Sequence, residues 1–178
     1  MVKLLILGGT SASLDIVKTA KALGFYTVVT DMDNDGPAKK IADETLQIST
    51  TDLDFLEKYV KANSIDGVFC GPSEFNLKNV INLCHKAGIR CYATPEQWEI
   101  CSNKETFKNY CKSNGVPTAA EYHIEDFSND ETEKSIDYPL IVKPVDGCSS
   151  KGITICYSKS DVLKAYEYAL FWSTSKRV

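Results

Sequence analysis

The segment from Val2 to Gly24 constrains the fold more than any other. Val2 to Leu7 is apolar but for Lys3, Gly8-Gly9-Thr10 breaks the run, and Leu14, Ile16, Val17, Ala20 and Leu23 then recur at helical spacing, with Ser11 and Ser13 as candidate caps. A strand that does not alternate polar with apolar residues must be covered on both faces, which a parallel sheet with crossover helices achieves. The pattern then repeats. Phe25 to Thr30 reads as a second strand, ending at Asp31 and the turn cluster Asp33-Asn34-Asp35-Gly36-Pro37. Thr51-Asp52 caps a helix carrying Leu53, Leu56, Tyr59 and Val60; Gly67 to Cys70 is a third strand, Phe75 to Ala87 another helix, and Ile89 to Ala93 a fourth strand. The alternation predicts an α/β fold, a Rossmann-like parallel sheet over residues 1–98.

Ligands of such sheets meet the carboxyl ends of the strands, which places Gly8 to Ser13, Asp31 and Gly71 to Glu74 on one rim. The glycine turn with Asp31 invites a dinucleotide reading in which the aspartate holds a ribose. Gly8-Gly9-Thr10-Ser11-Ala12-Ser13 lacks the third glycine of G-x-G-x-x-G, so that fingerprint is partial. Glu74 is either a rim ligand or a solvated acid favoured by a helix N-terminus.

From Pro95 the alternation ends. Pro95 to Cys101 reads as a short helix, and Asn103 caps another bearing Lys104, Phe107, Tyr110 and Cys111, which Asn114-Gly115 stops before Val116-Pro117. A strand near Ala120 to Ile124, an acidic and polar turn region from Glu125 to Asp137, two further strands and a helix from Asp161 to Leu170 opened by Ser160 complete an α+β pattern. A domain boundary is expected near residues 95 to 103, giving domains 1–98 and 99–178.

The two further strands flank the chemically richest stretch, Tyr138 to Tyr157. Leu140, Ile141 and Val142 suit a buried strand that ends in Lys143-Pro144; Asp146 to Gly152 offers two glycines, two serines and no large apolar side chain; Ile153, Thr154 and Ile155 resume a strand. Free backbone amides beside a lysine make a phosphate cradle. A P-loop is excluded, because Ile153 follows Gly152 where that motif needs lysine and a strand follows where it needs a helix. The alternatives are a hairpin folding over phosphates and a plain surface hairpin.

Composition removes several function classes. A net charge of −4 and a pI near 5.2 give no electrostatic reason to expect nucleic acid or an anionic membrane as partner. Seven cysteines without a C-x-x-C pair read as reduced thiols of a cytoplasmic protein. Leu4 to Leu7 is too short for a signal peptide, no run approaches a membrane span, and Asp126, Asp130, Glu131 and Glu133 read as a solvated turn rather than a metal site.

The order of parts resembles the ATP-grasp superfamily, in its carboxylate-amine ligase branch with biotin carboxylase and the synthetase halves of carbamoyl phosphate synthetase. The likeness rests on Gly8-Gly9-Thr10, Val68 to Glu74, Ser102-Asn103-Lys104, Asn114 to Thr118, and Tyr138 to Pro144 with its glycine-serine loop. It implies a preATP-grasp domain followed by the small subdomain of an ATP-grasp domain, and an ATP-dependent ligase acting through an acyl phosphate. ATP phosphates would meet Lys104, Lys143, Gly147, Ser149, Ser150 and Gly152, the last four in a loop closing over them. Gly8, Gly9, Ser11 and Glu74 would face the acceptor, a small carboxylate.

The resemblance also implies that this is the N-terminal portion of a longer enzyme, inactive alone, with the magnesium ligands beyond its end. An exposed apolar face near Phe171, Trp172 and Val178, and homodimerisation through it, are expected. The loop from Asp146 to Lys151 should lack anchors, with Asp146 turned away or meeting a cation. Lys104 and Lys143 should converge on one cleft between the two halves. A noncatalytic nucleotide-binding module and a nicotinamide-linked enzyme are the rival readings.

Overall fold

The computed structural model describes residues 1–128 and 134–178, so Asp130, Glu131 and Glu133 lie outside the described residues. The chain divides into two compact units, residues 1–98 and 99–178.

The first unit is a parallel four-stranded sheet in the order β3-β2-β1-β4. Its elements are β1 (Lys3–Leu7), α1 (Leu14–Ala22), β2 (Tyr26–Thr30), β3 (Glu44–Leu46), α2 (Leu53–Ala62), β4 (Gly67–Cys70) and α3 (Glu74–Ala87). β1 is central, pairing Leu5 with Val28 on one side and with Val68 on the other. Leu5 and Leu7 join Val28, Leu56, Val60, Val80 and Leu83 in one cluster, while Ile6 joins Val17, Val29 and Ala38 in another. Both faces are thus covered, which is why the run carries no polar alternation. Burial of each such side chain contributes about 1.5–3 kcal/mol.

Two expectations for this unit are corrected. Ile89–Ala93 is not a strand; Ile89 closes the end of α3 by donating its N–H to the Cys84 carbonyl (3.0 Å), and Ile89 and Cys91 pack onto the core from irregular backbone. The missing strand is β3, whose Glu44 and Thr45 pair with Val28 and Val29. Edge strands need no continuous apolar run, so composition hid it. Ser11 lies inside a single 3-10 turn, and Ser13, at the cap position of α1, makes no side-chain capping bond. Asp52, by contrast, caps α2 through the Phe55 N–H (3.1 Å).

The second unit contains α4 (Pro95–Ser102, begun in the first), α5 (Lys104–Ser113), a 3-10 segment (Ile124–Ser128), β5 (Leu140–Val142), β6 (Thr154–Cys156) and α6 (Lys159–Trp172). β5 and β6 are antiparallel, with Ile141 opposite Ile155. The core of this unit gathers Phe127, Ile136, Cys156, Val162 and Ala165, with Leu140 and Val142 against it. Several expectations change here. Ala120–His123 is irregular backbone leading into the 3-10 segment at Ile124, and the polar stretch from Glu125 to Asp137 supplies two core residues, Phe127 and Ile136. Ser158, not Ser160, caps α6, accepting from the Asp161 N–H (3.3 Å). Phe107 and Tyr110 are exposed, leaving Cys111 as the buried member of α5. β5 is half-buried rather than buried, because α6 covers one face only; Ile141 (61% exposed) and Ile155 (56%) form the bare face.

Candidate functional site

The candidate site residues form two groups, one in each unit. In the first, the carboxyl ends of β1 and β2 hold the glycine turn. Gly8 has φ +102°, a conformation that a side chain would strain, and a Cβ there would stand 2.8 Å from the Asn76 amide nitrogen. Asn76 Nδ2 donates to the Leu7 carbonyl (3.3 Å), fastening α3 to the turn. Gly9 donates its N–H to Asp31 Oδ2 (2.7 Å), and Asp31 Oδ1 accepts from the Asp33 N–H (3.0 Å). Both carboxylate oxygens therefore brace the rim itself, which weighs against a ribose role for Asp31 and so against the nicotinamide reading. Ser11 is exposed beside the turn; Glu74 opens α3 with an exposed side chain, and Ser73 caps that helix by accepting from the Asn76 N–H (3.3 Å).

Sequence reasoning missed Lys39. It is 5% exposed, its stem lies against Gly9, and Nζ donates to the Asp31 carbonyl (2.7 Å). Lys39 therefore ties the Pro37–Ile41 region to the end of β2 and supplies positive charge beside Asp31. A lysine between Ala38 and Lys40 gives no periodic signal that would set it apart.

In the second unit, the loop between β5 and β6 is firmly held at its stem. Asn103 Oδ1 accepts from the Glu105 and Thr106 N–H groups (3.1 and 3.0 Å), fixing the first turn of α5. Lys104 begins that helix; its backbone N–H donates to the Val145 carbonyl (3.1 Å) and its Nζ to the Gly147 carbonyl (2.8 Å). Lys143 is half-buried directly after β5. Strand alternation sets it on the side of Ile141, opposite Leu140 and Val142.

Pro144 is buried against Gly147 and Gly152, and Gly152, at φ +71°, leaves no room for a Cβ, which would stand 2.7 Å from Pro144 Cγ. Asp146 accepts from Ser173 Oγ (2.8 Å) and the Ser175 N–H (2.7 Å), and Lys151 Nζ lies 4.8 Å from the Trp172 ring. The expectation of an unanchored loop is thereby corrected: its stem is bound on three sides. Asp146 is turned aside as expected, towards neutral donors. Burial pushes its carboxyl up, and the donors from Ser173 and Ser175 outweigh this and hold it below the ordinary value. Only the tip, Cys148-Ser149-Ser150, is bare, with Ser149 and Ser150 both at positive φ (55° and 58°). Non-glycine residues in that region cost of order 1 kcal/mol each and favour amides presented to a ligand.

Lys104 and Lys143 thus both belong to the second unit and flank one loop. Phe171 is 73% exposed and stacks edge-on against Trp172, while Val178 is half-buried. Among the described residues, no group of three or more histidine, cysteine, aspartate or glutamate side chains is placed to hold a metal ion. No described helix is long and apolar enough to cross a membrane.

No family model matches the chain. Among curated proteins it is similar to the formate-dependent phosphoribosylglycinamide formyltransferase of Prochlorococcus marinus subsp. pastoris, 28% identical over 99% of this chain and 45% of the relative. The enzyme of that name from Methanocaldococcus jannaschii is 24% identical over 94% and 43%. The chain thus spans less than half the length of these curated relatives.

Among solved structures, the biotin carboxylase domain dimer of Hydrogenobacter thermophilus 2-oxoglutarate carboxylase, in complex with MgADP, ADP and bicarbonate, superposes with a TM-score of 0.78. It is 22% identical, covering 95% of this chain and 40% of that one. The Thermotoga maritima N5-carboxyaminoimidazole ribonucleotide synthetase gives 0.70 at 24% identity, with 92% and 43% covered. The Campylobacter jejuni biotin carboxylase complex with βγ-ATP gives 0.74 at 21%, with 97% and 42% covered. These likenesses establish the fold, and the resemblance to the N-terminal portion of ATP-grasp proteins is borne out.

Proposed function

We propose that the chain forms the N-terminal part of an ATP-dependent carboxylate-amine or related ligase acting through an acyl phosphate, and that it supplies the loop closing over the ATP phosphates. The observation that carries this reading is the arrangement around the β5–β6 loop, with Lys143 at its entrance, Lys104 bonded to Gly147 and paired left-handed serines at its tip. Residues 1–98 act as the preATP-grasp domain and residues 99–178 as the small subdomain.

The chemistry follows from the charge of the substrate. A triphosphate needs cations and oriented N–H donors, and an acyl phosphate needs water kept away. Lys143 and Lys104 supply the cations; the amides of Gly147 to Gly152 and the Ser149 and Ser150 hydroxyls supply donors. The apolar face of Ile141 and Ile155, on the Lys143 side of β5, suits the flat apolar surface of a nucleotide base. Gly8, Gly9, Ser11 and Glu74 form the acceptor side, for a small carboxylate. Magnesium belongs to the same reading, held by residues outside this chain. A cytoplasmic setting is supported by seven free thiols, and self-association by the exposed Phe171 and Trp172.

The test is a titration of the 178-residue chain with ATP, followed by residue-resolved amide chemical shifts. Saturable changes centred on residues 104, 141–155 and their neighbours are expected, weakened about tenfold or more in Lys143→Ala, equivalent to at least about 1.4 kcal/mol, with the circular dichroism melt preserved. Changes confined to the Gly8 turn and Asp31, or a Lys143→Ala variant that binds like the parent, would refute the assignment.

A further inference from the structure

Asp146 is an odd residue to find at the mouth of a phosphate loop, since its anion would repel a triphosphate. Both of its oxygens are committed elsewhere. Oδ1 accepts from Ser173 Oγ and Oδ2 from the Ser175 N–H, at 2.8 and 2.7 Å. Ser173 is 2% exposed, and its Oγ also accepts from the Arg177 N–H at 3.0 Å. Val145, one residue before Asp146, donates its N–H to the Arg177 carbonyl at 3.0 Å. The Arg177 guanidinium pairs with Glu105, in the first turn of α5 beside Lys104. Residues 173–177, the loop stem and the start of α5 thus form one closed circuit of bonds. The circuit stops at Gly147, whose carbonyl takes Lys104 Nζ.

We infer that Asp146 is a positioning residue, a latch that holds the stem of the loop on residues 173–177 so that only the tip, Cys148 to Ser150, moves to close over a polyphosphate. The latch does two things at once. It turns the carboxylate out of the phosphate path, and it fixes the Gly147 carbonyl where Lys104 can reach it, so the lysine is set beside the loop before nucleotide arrives. A half-buried charged acceptor with two donors is worth more than a neutral contact, because removing it leaves the almost wholly buried Ser173 hydroxyl with only Ser175 Oγ, at 3.4 Å, to receive its proton. The role rests on the nucleotide reading proposed above, whereas the latch itself does not.

Hydrogen exchange of the 178-residue chain tests the two separately. Without nucleotide, Asp146→Ala should speed exchange of amides in residues 145–147 and 173–177 about tenfold or more, while β1 and α3 exchange as in the parent. Ser173→Ala should speed the same segments, and the double variant should go no further than Asp146→Ala alone. Unchanged exchange at 173–177 in Asp146→Ala would overturn the latch.

With a nonhydrolysable ATP analogue, the parent should gain protection at 148–152 and little at 145–147, and Asp146→Ala should bind the analogue about fivefold or more weakly. Faster exchange with unaltered analogue affinity would leave Asp146 a brace of the fold and overturn its positioning role. A parent chain that fails to bind the analogue at all overturns the nucleotide reading, and with it the positioning role; the exchange measured without nucleotide tells that outcome from failure of the latch.

Discussion

Asp43 gives the sharpest test of how the first unit is held together. Its Oδ1 meets Lys21 Nζ at 2.7 Å, and its Oδ2 accepts both the N–H and the hydroxyl of Thr27, at 2.9 and 2.7 Å. Thr27 is fully buried in β2. Asp43→Ala therefore removes the acceptor of both Thr27 donors, at a cost of about 1–3 kcal/mol, and removes a charge pair as well.

The Lys21 ammonium, then the Thr27 N–H and hydroxyl, hold the carboxyl down at about 2, from an ordinary value of 3.8. That gap corresponds to about 2.5 kcal/mol at most, and because Lys21 and Asp43 are partly solvated, roughly 1 kcal/mol survives screening. The total loss expected for Asp43→Ala at pH 7 is about 2–4 kcal/mol, read from urea unfolding followed by circular dichroism. The sign with pH is fixed. A depressed folded-state pKa stabilises above about 3.8, and that contribution is lost as pH falls through about 2, so the gap between parent and variant should narrow by roughly 1 kcal/mol between pH 7 and pH 2. A variant within 0.5 kcal/mol of the parent at pH 7, where surface changes usually fall, or a gap that does not narrow in acid, would refute the reasoning.

Gly152→Ala should destabilise the second unit by about 2–4 kcal/mol, since its left-handed backbone and the 2.7 Å approach to Pro144 both resist a Cβ; a melt within 1 °C of the parent would contradict this. Asn103→Ala removes the acceptor for two N–H groups and should cost about 1 kcal/mol, with Asn103→Ser or Asn103→Asp recovering most of it in the same unfolding assay.

The parallel sheet was legible because β1 and β2 announce themselves twice, by apolar runs and by the glycine and aspartate turns that end them. β3 was not legible, since Glu44-Thr45-Leu46 has no pattern of its own and exists through pairing with Val28, Val29 and Thr30. Ile89–Ala93 failed for the converse reason. Its apolar residues are needed in the core, and burial there does not require a ladder. Phe127 and Ile136 make the same point, lying buried in a stretch whose composition is that of a turn.

The candidate phosphate loop divides along the same line. Lys143, Gly147 and Gly152 are local features, readable from strand, glycine and lysine in sequence. The bonds that fix them are long-range: Lys104 to Gly147, Asp146 to Ser173 and Ser175, and Lys151 over Trp172 join segments 21 to 43 residues apart. No composition rule can see such partners, and a glycine-serine loop judged by its own residues looks free. Ile141 shows the complementary limit. Leu140-Ile141-Val142 reads as uniformly buried, yet with α6 on one face and β6 alone beside it, every second residue must stand in the open. An exposed apolar pair, Ile141 facing Ile155, beside a lysine and a glycine-serine loop is the surface that the proposed function requires where a nucleotide base lies against the strands. The run that misled the burial reading thereby strengthens the functional one.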